Sequence, residues 1–441
     1  MGRRSKTNTL LCWMNSQKVG RWKVDAQQEH HFEYDPDWIK NPAGRALSLS
    51  MPLRPGPGYR GDAVRNFFEN LLPDSDEIRR RLQTRFQTDS NRAFDLLREV
   101  GRDCVGAVQL TEESVLESPL RPAEGDFLGE EEIAALLRAA SGAGWGQTNL
   151  DDLRISLAGA QEKTALTFVQ GRWMRPTGST PTTHIFKLPL GRFPSGLDLS
   201  TSVANEWLCH AILRELDVPV APAQIARFED LQVLVVERFD RRWNGGVLLR
   251  LPQEDLCQAF GVPPAKKYES DGGPGVRKIM TLLLGSSRAQ ADRTDFFRTL
   301  MIFWLLAAID GHAKNFSLFL EPGGGFRLTP RYDVLSAYPV VGSALGNLRP
   351  QELKMAMKVW GESAHYHWER IKRHHWGRTG SDCGVFPAAA EIWEALFVAV
   401  PAALERVESQ LPTDCPAELA EAILGGTRKA LERARRDQPL R

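Results

Sequence analysis

The chain has 441 residues, 42% of them hydrophobic and 25% charged, with 56 Lys plus Arg against 55 Asp plus Glu for a formal charge of +1 at pH 7. That length holds two or three domains with real cores, the composition excludes a disordered chain, and the near-zero net charge leaves nucleic acid only local patches to bind. No apolar run reaches membrane-spanning length without a charge, the start M-G-R-R-S-K lacks an apolar signal stretch, and the 6 cysteines are scattered with no Cys-x-x-Cys pair, so the expectation is a cytoplasmic protein with reduced thiols and no membrane partner.

In chain order, residues 10–22 (L-L-C-W-M-N-S-Q-K-V-G-R-W) read as a β-hairpin with a polar turn. Leu47, Leu49, Met51 and Leu53 alternate as a short strand before a Pro/Gly loop at 54–61. Residues 63–72 place Val64, Phe67, Phe68, Leu71 and Leu72 on one helical face that Pro73 stops, a core face rather than a ligand site. Residues 115–127, rich in Pro, Glu and Ser, read as a linker, and 130–140 as an amphipathic helix broken at 141–146. This gives an N-terminal α+β subdomain over residues 1–125.

A nucleotide-binding core is expected over 150–240. The stretch R-I-S-L-A-G-A-Q-E-K-T at 154–164 runs into a strand at 165–169. Its small residues Ala158, Gly159 and Ala160 let backbone N–H groups approach an anion, and Lys163 adds positive charge. It is no Walker A loop, because the Gly immediately before the Lys is missing and a strand follows. Taken alone, it reads more readily as a tight turn between strands. A strand at 183–188 carries Lys187, and a helix at 203–216 carries Glu206 near its start. An isolated strand lysine is commonly a snorkelling edge residue, but phosphate loop, strand lysine and helix glutamate in that order match a kinase small lobe. The apolar strand at 231–240 ends in Glu237, Arg238 and Phe239, where a hinge backbone would meet adenine. The alternative is a buried strand with a charged end.

Residues 241–441 read as a mainly helical second lobe, with clear helical period at 388–400 and 417–436. The stretches 251–258 and 267–275 (K-Y-E-S-D-G-G-P-G) join the lobes, and the sequence offers no reason for the charges of the second. An apolar helix at 294–309 feeds Asp310, a polar turn follows with Lys314 and Asn315, and strands at 316–320 and 326–329 around the turn 323–325 deliver Asp333. Phosphoryl transfer needs a carboxylate for the acceptor hydroxyl, and an amide oxygen with a second carboxylate for magnesium. Asp310, Asn315 and Asp333 have that chemistry, with the Asp-x-x-x-x-Asn spacing of a kinase catalytic loop. Asp-Gly after a helix is also an ordinary helix stop. The basic stretches 370–378 and 428–436 are either phosphate-binding or solvated faces, and His365, His367, His374 and His375 lack a metal-ligand pattern.

The motifs I-S-L-A-G-A-Q-E-K-T at 155–164, T-T-H-I-F-K at 182–187, V-E-R-F-D-R-R-W at 236–243, K-Y-E-S-D-G-G-P-G at 267–275, D-G-H-A-K-N at 310–315 and Tyr332-Asp333 together closely resemble the HipA family. W-M-N at 13–15, F-F-E-N-L-L-P-D-S at 67–75 and G-R-D-C-V-G-A at 101–107 extend the resemblance over nearly the whole chain. It implies an α/β (α+β), two-lobed kinase fold related to phosphatidylinositol kinases, and the serine/threonine kinase toxin of a toxin–antitoxin module. Asp310 is implied as catalytic base, and Asn315 and Asp333 as holders of Mg2+. The implied ATP site takes in Ala158, Gly159, Ala160, Gln161, Glu162, Lys163, Lys187, Glu237, Arg238, Phe239, His312, Lys314, Asn315, Tyr332 and Asp333. Ser156, on sequence alone a small residue at a turn, matches the position of silencing autophosphorylation, where a charge of about −2 would repel ATP. The implied partners are a HipB-like helix-turn-helix antitoxin, operator DNA through that complex, and glutamyl-tRNA synthetase as protein substrate. The region 340–385, with Trp360, His365, Tyr366 and His367, departs most from the family pattern. The rival readings are a small-molecule kinase of the same fold and a catalytically silent corepressor scaffold; Asp310, Asn315, Asp333 and Lys187 present together speak against the scaffold.

Overall fold

The computed structural model describes residues 8–113, 120, 122–141, 161, 163–385 and 387–437. The N-terminal part comprises β1 (Thr9–Met14), β2 (Gln17–Val24), β3 (His30–Tyr34), α1 (Pro36–Lys40), β4 (Tyr59–Arg60), α2 (Asp62–Glu69), α3 (Asp76–Phe86), α4 (Ala93–Val100) and β5 (Gln109–Glu112). The strands form an antiparallel sheet in the order β4-β3-β2-β1-β5. Asn15 and Ser16 both take positive φ, 48° and 66°, the twist that a two-residue hairpin turn needs. Trp22 of β2 stacks on Phe68 of α2 with ring centroids 3.8 Å apart, closing the core of this subdomain. Leu71 and Leu72 stay buried although α2 ends at Glu69.

The strand expected at 47–53 is absent, and Ser48 and Met51 make a single bridge instead. The backbone there is committed elsewhere: Ser48 Oγ and the Leu49 N–H donate to the Glu254 carboxylate at 2.5 and 2.8 Å, and Ser50 Oγ donates to the Gln258 C=O at 2.8 Å. Leu47, Met51 and Leu53 instead pack into the core of the N-terminal subdomain, while Leu49 packs against the second lobe and the polar groups between them dock there.

The small lobe holds β6 (Gly125–Phe127), α5 (Glu130–Ala140), β7 (Lys163–Val169), β8 (Arg172–Pro176), β9 (His184–Lys187), the short pair β10 (Gly191–Arg192) and β11 (Asp198–Leu199), α6 (Ser202–Glu215), β12 (Ala223–Phe228) and β13 (Leu231–Glu237). Its six-stranded sheet runs β12-β13-β9-β7-β8-β6. The end of the expected linker is thus a strand, with Gly125 to Phe127 paired to Pro176 to Met174. Ile133 and Leu137 of α5 cover one face beside Leu166 and Phe186, and Val203 of α6 packs with Leu234 and Val236.

The second lobe contains the hairpin β14 (Arg241–Asn244) and β15 (Val247–Arg250), then β16 (Gln253–Asp255), α7 (Leu256–Ala259), α8 (Val276–Leu282), α9 (Ala289–Leu305), β17 (Ser317–Leu320), β18 (Phe326–Leu328), β19 (Lys354–Trp360), β20 (Ala364–His367), α10 (Arg373–Cys383), α11 (Ala389–Ser409) and α12 (Ala417–Arg436). Helix α9 is buried on nearly every side, and its Phe296, Phe303 and Trp304 share one core with Trp376 of α10 and Trp393 of α11. Among the described residues no helix is long and apolar enough to cross a membrane. Much of the basic sequence is packing material. Arg373 pairs with Glu394 at 2.7 Å, Arg433 lies 4.8 and 4.5 Å over the rings of Trp304 and Trp368, and Arg435 lies 5.1 Å over Phe397. Lys372, His374 and Arg378 are exposed.

Candidate active site

Helix α9 stops at Leu305 and hands the chain to a turn in which Asp310 is exposed and Asn315 buried. The Asn315 side-chain amide donates to the Asp310 C=O at 2.8 Å, which leaves its Oδ1 as an acceptor toward the cleft. The pair β17 and β18 then returns the chain, and Asp333 follows in a left-handed conformation, φ 60°. A non-glycine residue held there marks a surrounding structure that over-determines it.

What holds Asp333 is Lys187. The ammonium on β9 donates to Glu206 Oε1 of α6 at 2.6 Å and to Asp333 Oδ1 at 2.8 Å. Burial works against the Lys187 charge, but the two carboxylates override it and push the pKa upward. Burial likewise opposes the Asp333 charge, and Lys187 and Lys163 hold its carboxyl well below the usual carboxylate range. For Glu206, almost wholly enclosed, burial wins and pushes the carboxyl upward. Three elements distant in sequence, β9, α6 and the segment after β18, therefore meet on one ammonium group.

Around them the cleft is lined by Gln161, Lys163, Ile185, Val236, Glu237, Phe239, Asp310, His312, Asn315, Tyr332 and Asp333. Phe239 and Tyr332 put their rings 5.8 Å apart, an apolar wall below the end of β13. Tyr332 donates its hydroxyl to the Lys314 C=O at 2.7 Å, and Gln161 donates its side-chain amide to the Leu188 C=O at 2.5 Å. Lys163 is pushed down to about 8, first by burial and then by the neighbouring Lys187. Burial also pushes the imidazole of His312 down, which keeps it neutral at pH 7. Ser156, Ala158, Gly159, Ala160 and Glu162 lie outside the described residues.

Two residues of the expected nucleotide set spend their charges elsewhere. The Arg238 guanidinium turns into a buried cluster with Asp103, Asp240 and Thr182, and its backbone N–H donates to the Thr183 C=O, so only the strand end itself is offered to the cleft. The Lys314 ammonium donates to Asp74 Oδ1 at 2.8 Å, while Lys267 donates to Asp74 Oδ2 at 2.9 Å. Burial opposes the Asp74 charge, yet these two ammonium groups hold its carboxyl at about 2. Asp74 and Tyr268, whose hydroxyl donates to Asp310 Oδ1, are the site residues that sequence reasoning missed. Both lie inside quoted motifs, at 67–75 and 267–275, but no spacing rule relates a position in the N-terminal subdomain to the Asp310–Asn315 turn more than two hundred residues later.

Family models match most of the chain. A HipA N-terminal domain model matches residues 10–111, and a HipA-like C-terminal domain model matches residues 155–404. The chain is 35% identical over 361 residues to the Sinorhizobium fredii protein Y4mE, covering 79% of this chain and 80% of that one. It is 28% identical over 349 residues to the serine/threonine-protein kinase toxin HipA of Shewanella oneidensis, covering 75% and 76%. The solved complex of Shewanella oneidensis HipA, HipB and operator DNA contains a chain that superposes with TM-score 0.76 at 24% identity over 97% of both chains. Matched from its first sheet to its C-terminal helices, this chain belongs to the HipA family of kinases.

Proposed function

We propose that the chain is an ATP-dependent serine/threonine protein kinase and the toxin of a toxin–antitoxin pair. The observation that carries this reading is Lys187 bonded to Glu206, the ion pair that a kinase needs in place before it can transfer phosphate, with the Asp333 carboxylate held beside it. A silent scaffold has no use for a buried ion triad aimed at a cleft, since buried ion pairs do little for stability.

In this reading the backbone of Glu237 to Phe239 meets the adenine edge, and Phe239 with Tyr332 packs on its face. Lys163, Lys187 and the loop 158–163 meet the phosphates. Asn315 Oδ1 and the Asp333 carboxylate are hard oxygen donors on one cleft, the donor set that Mg2+ takes beside phosphate oxygens. When bound, the ion neutralises charge building on the transferring group. Asp310 accepts the proton of the acceptor serine as that oxygen bonds to the γ-phosphorus, and the bond to the bridging oxygen breaks to release ADP. Ser156 is the proposed site of self-silencing. A helix-turn-helix antitoxin, operator DNA through it, and glutamyl-tRNA synthetase as acceptor follow from the family resemblance, and the Shewanella complex with HipB and DNA supports the first two.

The test is mass spectrometry of the chain incubated with Mg·ATP beside Asp310→Ala. Phosphate on Ser156 in the wild type alone is expected, with turnover in the variant lower by about 10²–10⁴, the usual worth of a positioned general base. Full activity in Asp310→Ala ends the assignment.

A further inference from the structure

The charged turn at 267–275, without an evident purpose in the sequence, sends three successive side chains in three directions. Lys267 reaches Asp74 Oδ2 in the N-terminal subdomain at 2.9 Å. Tyr268 donates its hydroxyl to Asp310 Oδ1. Glu269 accepts from the Lys358 backbone N–H at 2.8 Å and lies 3.2 Å from Lys358 Nζ, on β19. The backbone is fastened as well: the Ala313 N–H of the catalytic turn donates to the Lys267 C=O at 3.1 Å, and the Gly273 N–H to the Tyr268 C=O at 3.0 Å. A Cβ added at Gly275 would lie 1.9 Å from Glu269 Cδ, so the turn closes directly over that carboxylate. The Tyr268 ring stands edge-on to His312 with centroids 5.0 Å apart at 86°. The hydroxyl is therefore placed by groups on both sides of it, independently of Asp310.

Asp310 has no such support of its own. Its side chain is 59% exposed, and His312 Nε2 is 3.9 Å from Oδ2, beyond hydrogen-bond reach. Among the described residues the Tyr268 hydroxyl makes the one hydrogen bond to this carboxylate. An exposed carboxylate on a turn rotates, and a base out of reach of the acceptor hydroxyl transfers no proton. Burial and the adjacent Asp310 push the Tyr268 phenol upward, so the hydroxyl stays protonated and can only donate.

We propose that Tyr268 is a positioning residue for proton transfer: bonded to Oδ1, it fixes the plane of the Asp310 carboxylate and leaves Oδ2 to take the proton of the acceptor hydroxyl. This rests on the kinase reading above and assigns a purpose to the 267–275 turn, which ties catalytic base, N-terminal subdomain and β19 together.

Tyr268→Phe keeps the ring on His312 and removes only the hydroxyl. With ADP release from Mg·ATP as the readout, kcat is expected to fall about 10–100-fold, up to the roughly 10²-fold that misplacing a reacting group costs. KM for ATP and the thermal midpoint are expected to stay unchanged. In an Asp310→Asn background the same substitution should cost nothing further, because the two residues act as one unit. A kcat within twofold of wild type, a faster variant, or an equal loss in both backgrounds overturns the positioning role. Full activity of Asp310→Asn alone overturns the kinase reading instead, and is distinguishable because Tyr268 is then intact.

Discussion

Lys163 shows at the scale of one residue how the fold sets a working range. Burial and Lys187 bring it down to about 8, so it is charged below that pH and loses its charge as pH rises through it. Since kcat/KM reports groups of the free enzyme, kcat/KM for ATP should fall above about pH 8. Lys163→Arg should move this limb to higher pH, because a guanidinium keeps its charge. A profile flat to pH 9.5 in the wild type would remove Lys163 from phosphate binding. Single residues also hide their partners: Arg238 and Lys314 both line the cleft, yet their charges go to partners from the N-terminal subdomain.

Among elements, α6 matters most to the site. Its residues are buried almost throughout, including Glu206, whose side chain is only 2% exposed. The helix lies across the sheet at β12 and β13, with Val203 against Leu234 and Val236, and this packing presents Glu206 to Lys187. Glu206→Gln keeps the shape and removes the charge. Lys187 retains Asp333, the Gln amide oxygen still accepts, and burial already opposes the Glu206 charge, so the unfolding midpoint should change little. A more loosely held Lys187 should still shift, lowering kcat/KM for ATP about tenfold or more. Unchanged kinetics would show that Asp333 alone positions the lysine. The order of strand lysine and helix glutamate was legible in the sequence because each sits in a regular element whose period identifies it. The role of residues 47–53 was not, since their alternation divides Leu47, Met51 and Leu53 in the N-terminal core from Ser48 and Ser50, which dock on Glu254 and Gln258.

In the whole molecule, the N-terminal subdomain is fastened to the end of β13 by buried charge. Asp103 accepts from Arg238, Arg241 and Arg250 at 3.1, 2.8 and 3.2 Å, and from Thr182 Oγ1 at 2.7 Å. Burial opposes the Asp103 charge, but the three guanidinium groups hold the carboxyl far below the usual range. Asp240 adds bonds to Arg238 and to the Gly106 N–H at 2.7 Å. Gly106 has φ 74°, and a Cβ there would meet the Gln253 C=O at 2.6 Å, so the close approach requires glycine. Asp103→Ala leaves Arg238 and Arg241 sharing Asp240 and removes the carboxylate that Arg250 meets. It should cost about 3–5 kcal/mol, seen as a large drop in the urea midpoint followed by tryptophan fluorescence. A midpoint unchanged from wild type would mean that the subdomains are held by other contacts.

By itself the sequence determined the helices and strands with a clean period, the polar turn at 310–315 with its Asp310 and Asn315, and the lysine–glutamate order, because each is encoded in neighbouring residues. Only the tertiary structure decided which charges serve the site and which serve assembly. Asp74, Asp103 and Tyr268 reach partners 240, 138 and 42 positions away, and nothing local distinguishes a carboxylate that will pair across subdomains from one left in water. Coulomb energy depends on separation in space and on burial, and both quantities exist only once the chain has folded.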